Sequence, residues 1–187
     1  MTPRTDSRQR FLDAAADLFH TQGYHATGLN QLVGAGGAPK GSLYFHFPGG
    51  KEQLAAEALS QSSARLRDTL RAVLIAGDID AVVDALAATL TDSDFQRGCP
   101  LATVALDASA ASEPIRQACA DGFESWRVAI EEFLRDKGIG EPRAAELATV
   151  ALAMIEGGLL LARTRRDIAP LRAVADHLRT TLERELS

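Results

Sequence analysis

The sequence of 187 residues has few cysteines, few aromatic residues and no long uninterrupted apolar run. Its two cysteines, Cys99 and Cys119, suit neither a disulfide framework nor a zinc site, so two free thiols are expected. The most apolar stretch, residues 144–162, is interrupted by Glu146, Glu156 and two glycines, which argues against a membrane span. Charged residues interrupt the first dozen positions, so no secretory leader is indicated and a cytoplasmic protein without membrane contact is expected.

Sets of side chains with catalytic or metal-binding spacing are also missing from the sequence. His20 and His25 lie five positions apart across a helix end, and His177 stands alone. The string Gly36-x-x-x-x-Gly41-Ser42 lacks the lysine of a phosphate-binding loop and has no preceding strand. We therefore expect no catalytic residue, no metal and no cofactor.

The net charge of −5 is distributed unevenly along the chain. Residues 1–51 contain five basic and three acidic side chains, a net charge of +2, so residues 52–187 carry −7. A basic segment can bind phosphate even when the rest of the chain is acidic. The overall negative charge is therefore compatible with nucleic-acid binding at the N-terminal end.

Apolar residues recur at helical spacing along almost the whole chain, and no sustained alternation indicates a strand. We predict an all-α fold of about nine helices. The run from Gly34 to Ala38 is expected to be a turn, with Thr27 capping the helix before it and Pro39 opening the helix after it. Capping residues, glycines and prolines place the helices near residues 6–22, 27–33, 39–47, 51–75, 78–90, 100–110, 113–137, 142–165 and 170–186.

Two short helices joined by a turn, behind a packing helix, have the plan of a helix-turn-helix, whose second helix enters the major groove of DNA. Three strings sharpen this interpretation: AAxxLFxxxGY from residue 14, KGSLYFHF from residue 40 and KExL from residue 51. Together they resemble the N-terminal signature of the TetR family over roughly the first 55 positions. The string from Gly41 to Glu52, and later Gly98-Cys99-Pro100-Leu101, are similar to the subgroup of lincomycin-resistance (LmrA/YxaF-like) repressors. The chain departs from the family at residues 32–37, where extra glycines precede the turn.

The resemblance implies a helix-turn-helix DNA-binding domain at residues 1–50 and a helical ligand-binding and dimerisation domain at residues 51–187. Lys40 and Ser42 are expected near base edges, whereas Gly41 allows close approach of the backbone. Leu43, Phe45 and Phe47 are expected in the core. Including a basic N-terminal arm and two helix starts that favour phosphate, the predicted DNA contacts are Arg4, Arg8, Thr27, Lys40, Gly41, Ser42, Tyr44, His46 and Lys51.

Two faces of the helix at residues 142–165 are apolar, which predicts that it packs against its own core and against a second copy. A helix buried in a monomer core is the alternative. Together with the last helix, two copies would form a four-helix bundle, as TetR-like repressors do. The predicted homodimer contacts are Ala151, Ile155, Gly158, Leu159, Ala162, Val174 and Leu178.

The resemblance also implies a pocket for a small hydrophobic inducer, although an apolar stripe at helical spacing equally fits plain core. The candidates are Leu66, Leu70, Leu101, Val104, Phe123, Trp126, Ile130 and Met154.

The implied function is a repressor that such an inducer releases from a palindromic operator of double-stranded DNA, controlling an efflux or detoxification gene. A TetR-like activator and a regulator that responds to redox state through Cys99, at a helix N-terminus, are alternatives. A helical enzyme and a protein-interaction module are remote ones.

Overall fold

The computed structural model describes residues 4–76 and 79–187, with side chains from Ser7 onward, and this part of the chain is helical without a strand. The predicted all-α fold is confirmed. The helices of the described ranges are α1 (Arg4–Gln22), α2 (Leu29–Gly36), α3 (Lys40–His46), α4 (Gly50–Ile75), α5 (Ile79–Asp92), α6 (Pro100–Ala108), α7 (Glu113–Asp136), α8 (Glu141–Arg165) and α9 (Ala169–Glu185).

The helices form two compact units. The first unit contains the chain up to Ser63 together with Pro100–Gly122, and the second contains Ala64–Cys99 and Phe123–Ser187. In the first unit, α1 packs against α2, α3 and α6. In the second unit, α9 packs against α5 and α8. The two units are defined by how the helices pack and not by what they bind. The predicted boundary after residue 50 between a DNA-binding and a ligand-binding domain therefore stays a prediction.

The glycine-rich run after Leu32 is helical, and the predicted turn at Gly34–Gly36 is wrong. α2 continues through Gly36 and ends at Gly37, whose φ of 59° is left-handed. Gly36 is buried against α1, and a Cβ atom built on it would lie 2.4 Å from Cδ1 of Phe11. Close packing against Phe11 therefore outweighs the low helix propensity of glycine.

The starts of the short helices also differ from expectation. Gly28, not Thr27, is the N-cap of α2, and its backbone N–H donates to Oε1 of Gln31 over 2.7 Å. Thr27 is fully buried, and its hydroxyl donates to the carbonyl oxygen of Gly23 over 2.7 Å. The predicted cap at Thr27 is wrong because α2 begins at Leu29 with Gly28 as its N-cap. Pro39 is the N-cap of α3 rather than its first residue.

α8 is the most apolar long helix of the described chain, and by length and composition alone it could cross a membrane. A single such helix is weak support for a membrane span, because core helices of soluble proteins can be equally long and apolar. One face of α8 packs inside the second unit, where Gly158, Leu159 and Ala162 are buried. The opposite face carries exposed Leu160 and Leu161.

Three residues predicted to lie between two copies, Gly158, Leu159 and Ala162, therefore belong to the core of the second unit. A Cβ atom built on Gly158 would lie 3.2 Å from Cγ2 of Val174, so these two predicted interface residues face each other within one chain. The periodicity of the sequence indicated two apolar faces on α8, and the predicted interface residues were drawn from both of them.

Candidate DNA-binding surface

The recognition helix predicted from the sequence is α3, and its inner side is anchored by two residues four positions apart. Leu43 and Phe47 are fully buried. The ring of Phe47 meets the edge of Phe11 from α1, with centroids 6.5 Å apart. The rest of α3 faces solvent, with Lys40 exposed at its start and Gly41, Tyr44 and Phe45 exposed along its length. We call these four residues the α3 face.

Three residues of the α3 face were predicted to contact DNA. Lys40 is exposed and has no ion-pair partner in the part of the chain that the structure describes. A Cβ atom on Gly41 would meet nothing within 4 Å, so the helix backbone is open to solvent there. The Tyr44 ring lies 3.4 Å from the position that a Cβ atom of Gly50 would occupy. Gly50 has a φ of +66°, a conformation that favours glycine, and it begins α4 beside this ring.

The expectation that Phe45 lies in the core is wrong, because 60 % of its surface is exposed. With Leu43 and Phe47 turned inward, the residue between them must point away on a helix of 3.6 residues per turn. The run of aromatic residues suggested that Phe45 is buried. The helical spacing of Leu43 and Phe47, however, already places Phe45 on the outer side of the helix.

Ser42 and His46 are half-buried at the border of the α3 face. Nε2 of His46 lies 2.8 Å from the hydroxyl of Ser7 in α1, and the imidazole ring contacts the rings of Phe45 and Phe47. His46 therefore helps to hold α3 on α1. Its contact with phosphate stays a prediction.

The side chain of Lys51 contacts Tyr24 of the first unit instead of extending into solvent. Its ammonium group donates to the carbonyl oxygen of Tyr24 over 2.6 Å and lies 4.1 Å from the centroid of the Tyr24 ring. Burial lowers the pKa of Lys51, and the negative charge of Asp107 partly opposes this shift. Lys51 thus fixes the turn between α1 and α2, while its contact with phosphate stays a prediction.

Asp107 on α6 holds the same turn, although no local pattern around this residue indicates such a role. Its Oδ2 accepts a hydrogen bond of 2.7 Å from the backbone N–H of His25, which lies 82 positions earlier. A Cβ atom on Gly23, whose φ is +83°, would lie 3.1 Å from the same oxygen. The turn that orients α2 and α3 is therefore clamped by Lys51 from α4 and by Asp107 from α6.

The remaining predicted DNA contacts are in different surroundings. Arg8 lies inside α1, forms an ion pair with Glu57 of α4 and lies 5.3 Å from the centroid of the Phe47 ring. Arg8 belongs to the first helix, as the predicted helix at residues 6–22 implies, and its contact with flanking DNA stays a prediction. The side chain of Arg4 lies outside the described residues. Thr27 is too deeply buried to reach a phosphate in this conformation.

The second unit contains a partly open apolar cavity of about 80 Å³ lined by residues of α4, α5, α7, α8 and α9. Of the predicted inducer contacts, Leu70 and Ile130 line it. Ala151, Ile155 and Leu178, which were predicted to lie between copies, line it as well.

The other predicted inducer contacts do not line this cavity. Leu101 and Val104 are fully buried in the first unit, where they belong to its core. Phe123 and Trp126 pack edge to face with centroids 5.7 Å apart. Leu66 is partly exposed on α4, and Met154 is half-buried on α8.

Both cysteines are buried. Burial raises the pKa of the Cys119 thiol to about 11. Cys99 forms a hydrogen bond with the carboxyl group of Glu156 on α8, whose Oε2 is buried without a partner among the described residues. Burial raises the pKa of Glu156, and the hydrogen bond from Cys99 partly opposes this rise. In the described part of the chain, no group of three potential metal ligands comes together.

Comparison with known proteins adds two family matches. Residues 11–58 match the family described as "Bacterial regulatory proteins, tetR family". Residues 75–177 match "Transcriptional regulator LmrA/YxaF-like, C-terminal domain".

Similar proteins extend over nearly the whole chain. The HTH-type transcriptional regulator LmrA of Bacillus subtilis is 41% identical, covering 96% of this chain and 98% of the relative. The uncharacterized HTH-type transcriptional regulator YxaF of the same organism is 37% identical, covering 95% and 96%. A TetR transcriptional regulator from Legionella pneumophila has a similar structure, with a TM-score of 0.77, 27% identity and coverage of 92% and 95%. Reduced NemR of E. coli shares the fold, with a TM-score of 0.79, 24% identity and coverage of 93% and 96%.

Proposed function

Because the chain belongs to the TetR family of bacterial transcriptional regulators, with an LmrA/YxaF-like C-terminal domain, we propose that it is a homodimeric repressor released from a palindromic operator by an apolar or aromatic small molecule. Its family consists of regulators and not enzymes. We propose an efflux or detoxification gene as its target and the cytoplasm as its location. The observation that carries DNA binding is the α3 face, where a cation, a bare backbone and two aromatic rings are exposed together.

The chemistry of the α3 face suits a major groove. Lys40 is at the start of the recognition helix, where side chains reach base edges. Gly41 brings the backbone close, and the Tyr44 hydroxyl can donate to a phosphate oxygen. Lys51 and Asp107 support this arrangement by fixing the turn that precedes α2 and α3.

Selection of bound duplexes from a random library, followed by affinity measurements, tests this function. Lys40→Ala is expected to weaken binding by about tenfold and to relax the base preference, as for a lost base contact. Tyr44→Phe is expected to weaken binding to all sequences about equally, since a phosphate contact carries no sequence information. Lys137→Ala, which removes an exposed lysine of the second unit, is the charge-matched control and should bind like the parent. If both α3 variants bind like this control, the site assignment is wrong.

We place the interface between copies on the exposed face of α8. This face carries one apolar strip of exposed residues that recur at helical spacing, namely Val150, Ala153, Gly157, Leu160 and Leu161. Burying large apolar side chains stabilises association, and the small residues permit close approach of a second α8. A two-fold dimer can place two recognition helices about 34–36 Å apart, one turn of DNA.

Sedimentation velocity tests this interface. Leu160→Glu puts a charge in the strip at a position 58 % exposed and is expected to yield monomers with weak operator binding. Leu106→Glu on α6, at a position 83 % exposed, is the matched control and should remain dimeric. Dimers of Leu160→Glu at the parent's dissociation constant would exclude this strip as the interface.

We propose the apolar cavity of the second unit as the inducer site. Drug-sized ligands usually occupy sites of about 300–1,000 Å³, so a cavity of about 80 Å³ must widen to receive one. This requirement links binding to a change of conformation, because the ligand binds the widened state better than the closed one. Ala151→Leu, which adds bulk to the cavity wall, should abolish release of labelled operator by a panel of aromatic compounds while operator binding persists. Unchanged release would place the inducer site elsewhere.

A further inference from the structure

The most exposed aromatic side chain of the α3 face is Phe45, and it carries no polar group. It is 60 % exposed, compared with 44 % for Tyr44. Its ring meets that of His46 edge to face at 5.1 Å, and His46 is in turn held by Ser7 at 2.8 Å. The phenyl ring is therefore supported at its base while most of its surface faces solvent.

A phenyl group cannot donate a hydrogen bond to phosphate, so its contact with DNA must be apolar. In the major groove the apolar group that distinguishes a base is the 5-methyl group of thymine. Gly41 lies one helical turn before Phe45 on the same side of α3, and the space beside it is empty. α3 can therefore approach the groove closely at Gly41, which lets the ring of Phe45 reach a base edge.

We propose that Phe45 reads a thymine by packing its ring against the 5-methyl group, in addition to the polar contacts of Lys40 and Tyr44. This assignment rests on the proposed function, because it requires the α3 face to enter the major groove. It makes Phe45 a determinant of base preference instead of a residue of the hydrophobic core.

Replacement of single thymines by deoxyuridine removes only the methyl group and tests the contact directly. The selected duplex is prepared with deoxyuridine at each thymine in turn, and affinities are measured for the parent and for Phe45→Ala. For the parent, deoxyuridine at one position of a half-site is expected to lower affinity about fourfold, the effect of losing the burial of one methyl group. For Phe45→Ala, the same replacement should have no effect. Phe45→Leu, which keeps an apolar side chain, should retain part of the difference.

Thermal unfolding shows whether the variants are folded. Phe45→Ala should change the unfolding midpoint little, because the side chain is mostly exposed. If no deoxyuridine replacement depends on residue 45, Phe45 does not read a methyl group and the inference is overturned. A uniform loss of affinity across all duplexes in Phe45→Ala would also overturn it, since that result indicates a contact with the sugar-phosphate backbone. If the parent protein prefers no duplex at all, the proposed function fails as well, and the parent alone shows this.

Discussion

Gly34→Ala and Gly36→Ala add the same methyl group at two points of α2 and are expected to change stability in opposite directions. In a helix, alanine is favoured over glycine by up to about 1 kcal/mol. At Gly34 the added Cβ atom meets nothing within 4 Å, so Gly34→Ala should stabilise the protein by about 0.5 kcal/mol, reduced by its position near the end of α2.

The same change at Gly36 creates an overlap. The Cβ atom would lie 2.4 Å and 2.7 Å from two ring carbons of Phe11. Phe11 is fully buried and packs against Phe47, so its ring has little room to move. Overpacking of a core typically costs about 1–3 kcal/mol, which exceeds the gain in helix propensity. Gly36→Ala should therefore destabilise the protein by about 1–2 kcal/mol.

Thermal unfolding at equal protein concentration measures both effects, because dimerisation would make the midpoint depend on concentration. For a chain of this size, 1 kcal/mol corresponds to about 2–4 °C, so Gly34→Ala should raise the midpoint by about 1–2 °C and Gly36→Ala should lower it by about 2–8 °C. Replacing the ring by the smaller leucine side chain in a Phe11→Leu background should reduce the cost of Gly36→Ala. A midpoint for Gly36→Ala at or above that of the parent would refute the packing argument.

Three further changes test other contacts. Burial raises the folded-state pKa of Glu156, so the stabilisation it contributes is present below its unfolded pKa of about 4.3 and is lost as pH rises through the folded value. Glu156→Gln should therefore raise the melting midpoint at pH 8 and leave it nearly unchanged at pH 4, whereas equal shifts would contradict the assignment. Asp107→Ala should cost about 1 kcal/mol of stability and Asp107→Asn less, because the amide oxygen still accepts from His25. Equal losses in the two variants would contradict the clamp. With its thiol pKa raised to about 11, Cys119 should resist iodoacetamide at pH 8 until urea unfolds the chain, as mass spectrometry can show.

Local patterns predicted the order of the helices and the place of α3. Prolines, glycines and helical periodicity act over a few residues, so they mark where α6 begins at Pro100 and where α7 ends before Gly138. The strings around Lys40 and Lys51 were sufficient for the family, because they combine buried residues with residues predicted to contact DNA.

Contacts between distant parts of the chain were not predicted. Whether Gly36 continues a helix depends on Phe11, 25 positions earlier, and the role of Asp107 depends on a backbone group 82 positions away. On α8 both faces are apolar, so periodicity alone cannot tell which one packs inside the unit and which one is exposed. Of the predicted inducer contacts only Leu70 and Ile130 line the cavity, because a sequence pattern does not distinguish the apolar residues of a core from those of a cavity wall.

Affinity for the selected palindromic duplex as a function of salt concentration tests the central claim most directly. Phosphate contacts release bound counterions, so the logarithm of the association constant should fall linearly with the logarithm of salt concentration, by about 0.9 for each phosphate contact. We expect a slope of several units, two chains per palindrome and a marked preference over a scrambled duplex. Binding that does not change with salt, or that is equal for the scrambled duplex, would contradict a regulator that grips its operator through the α3 face.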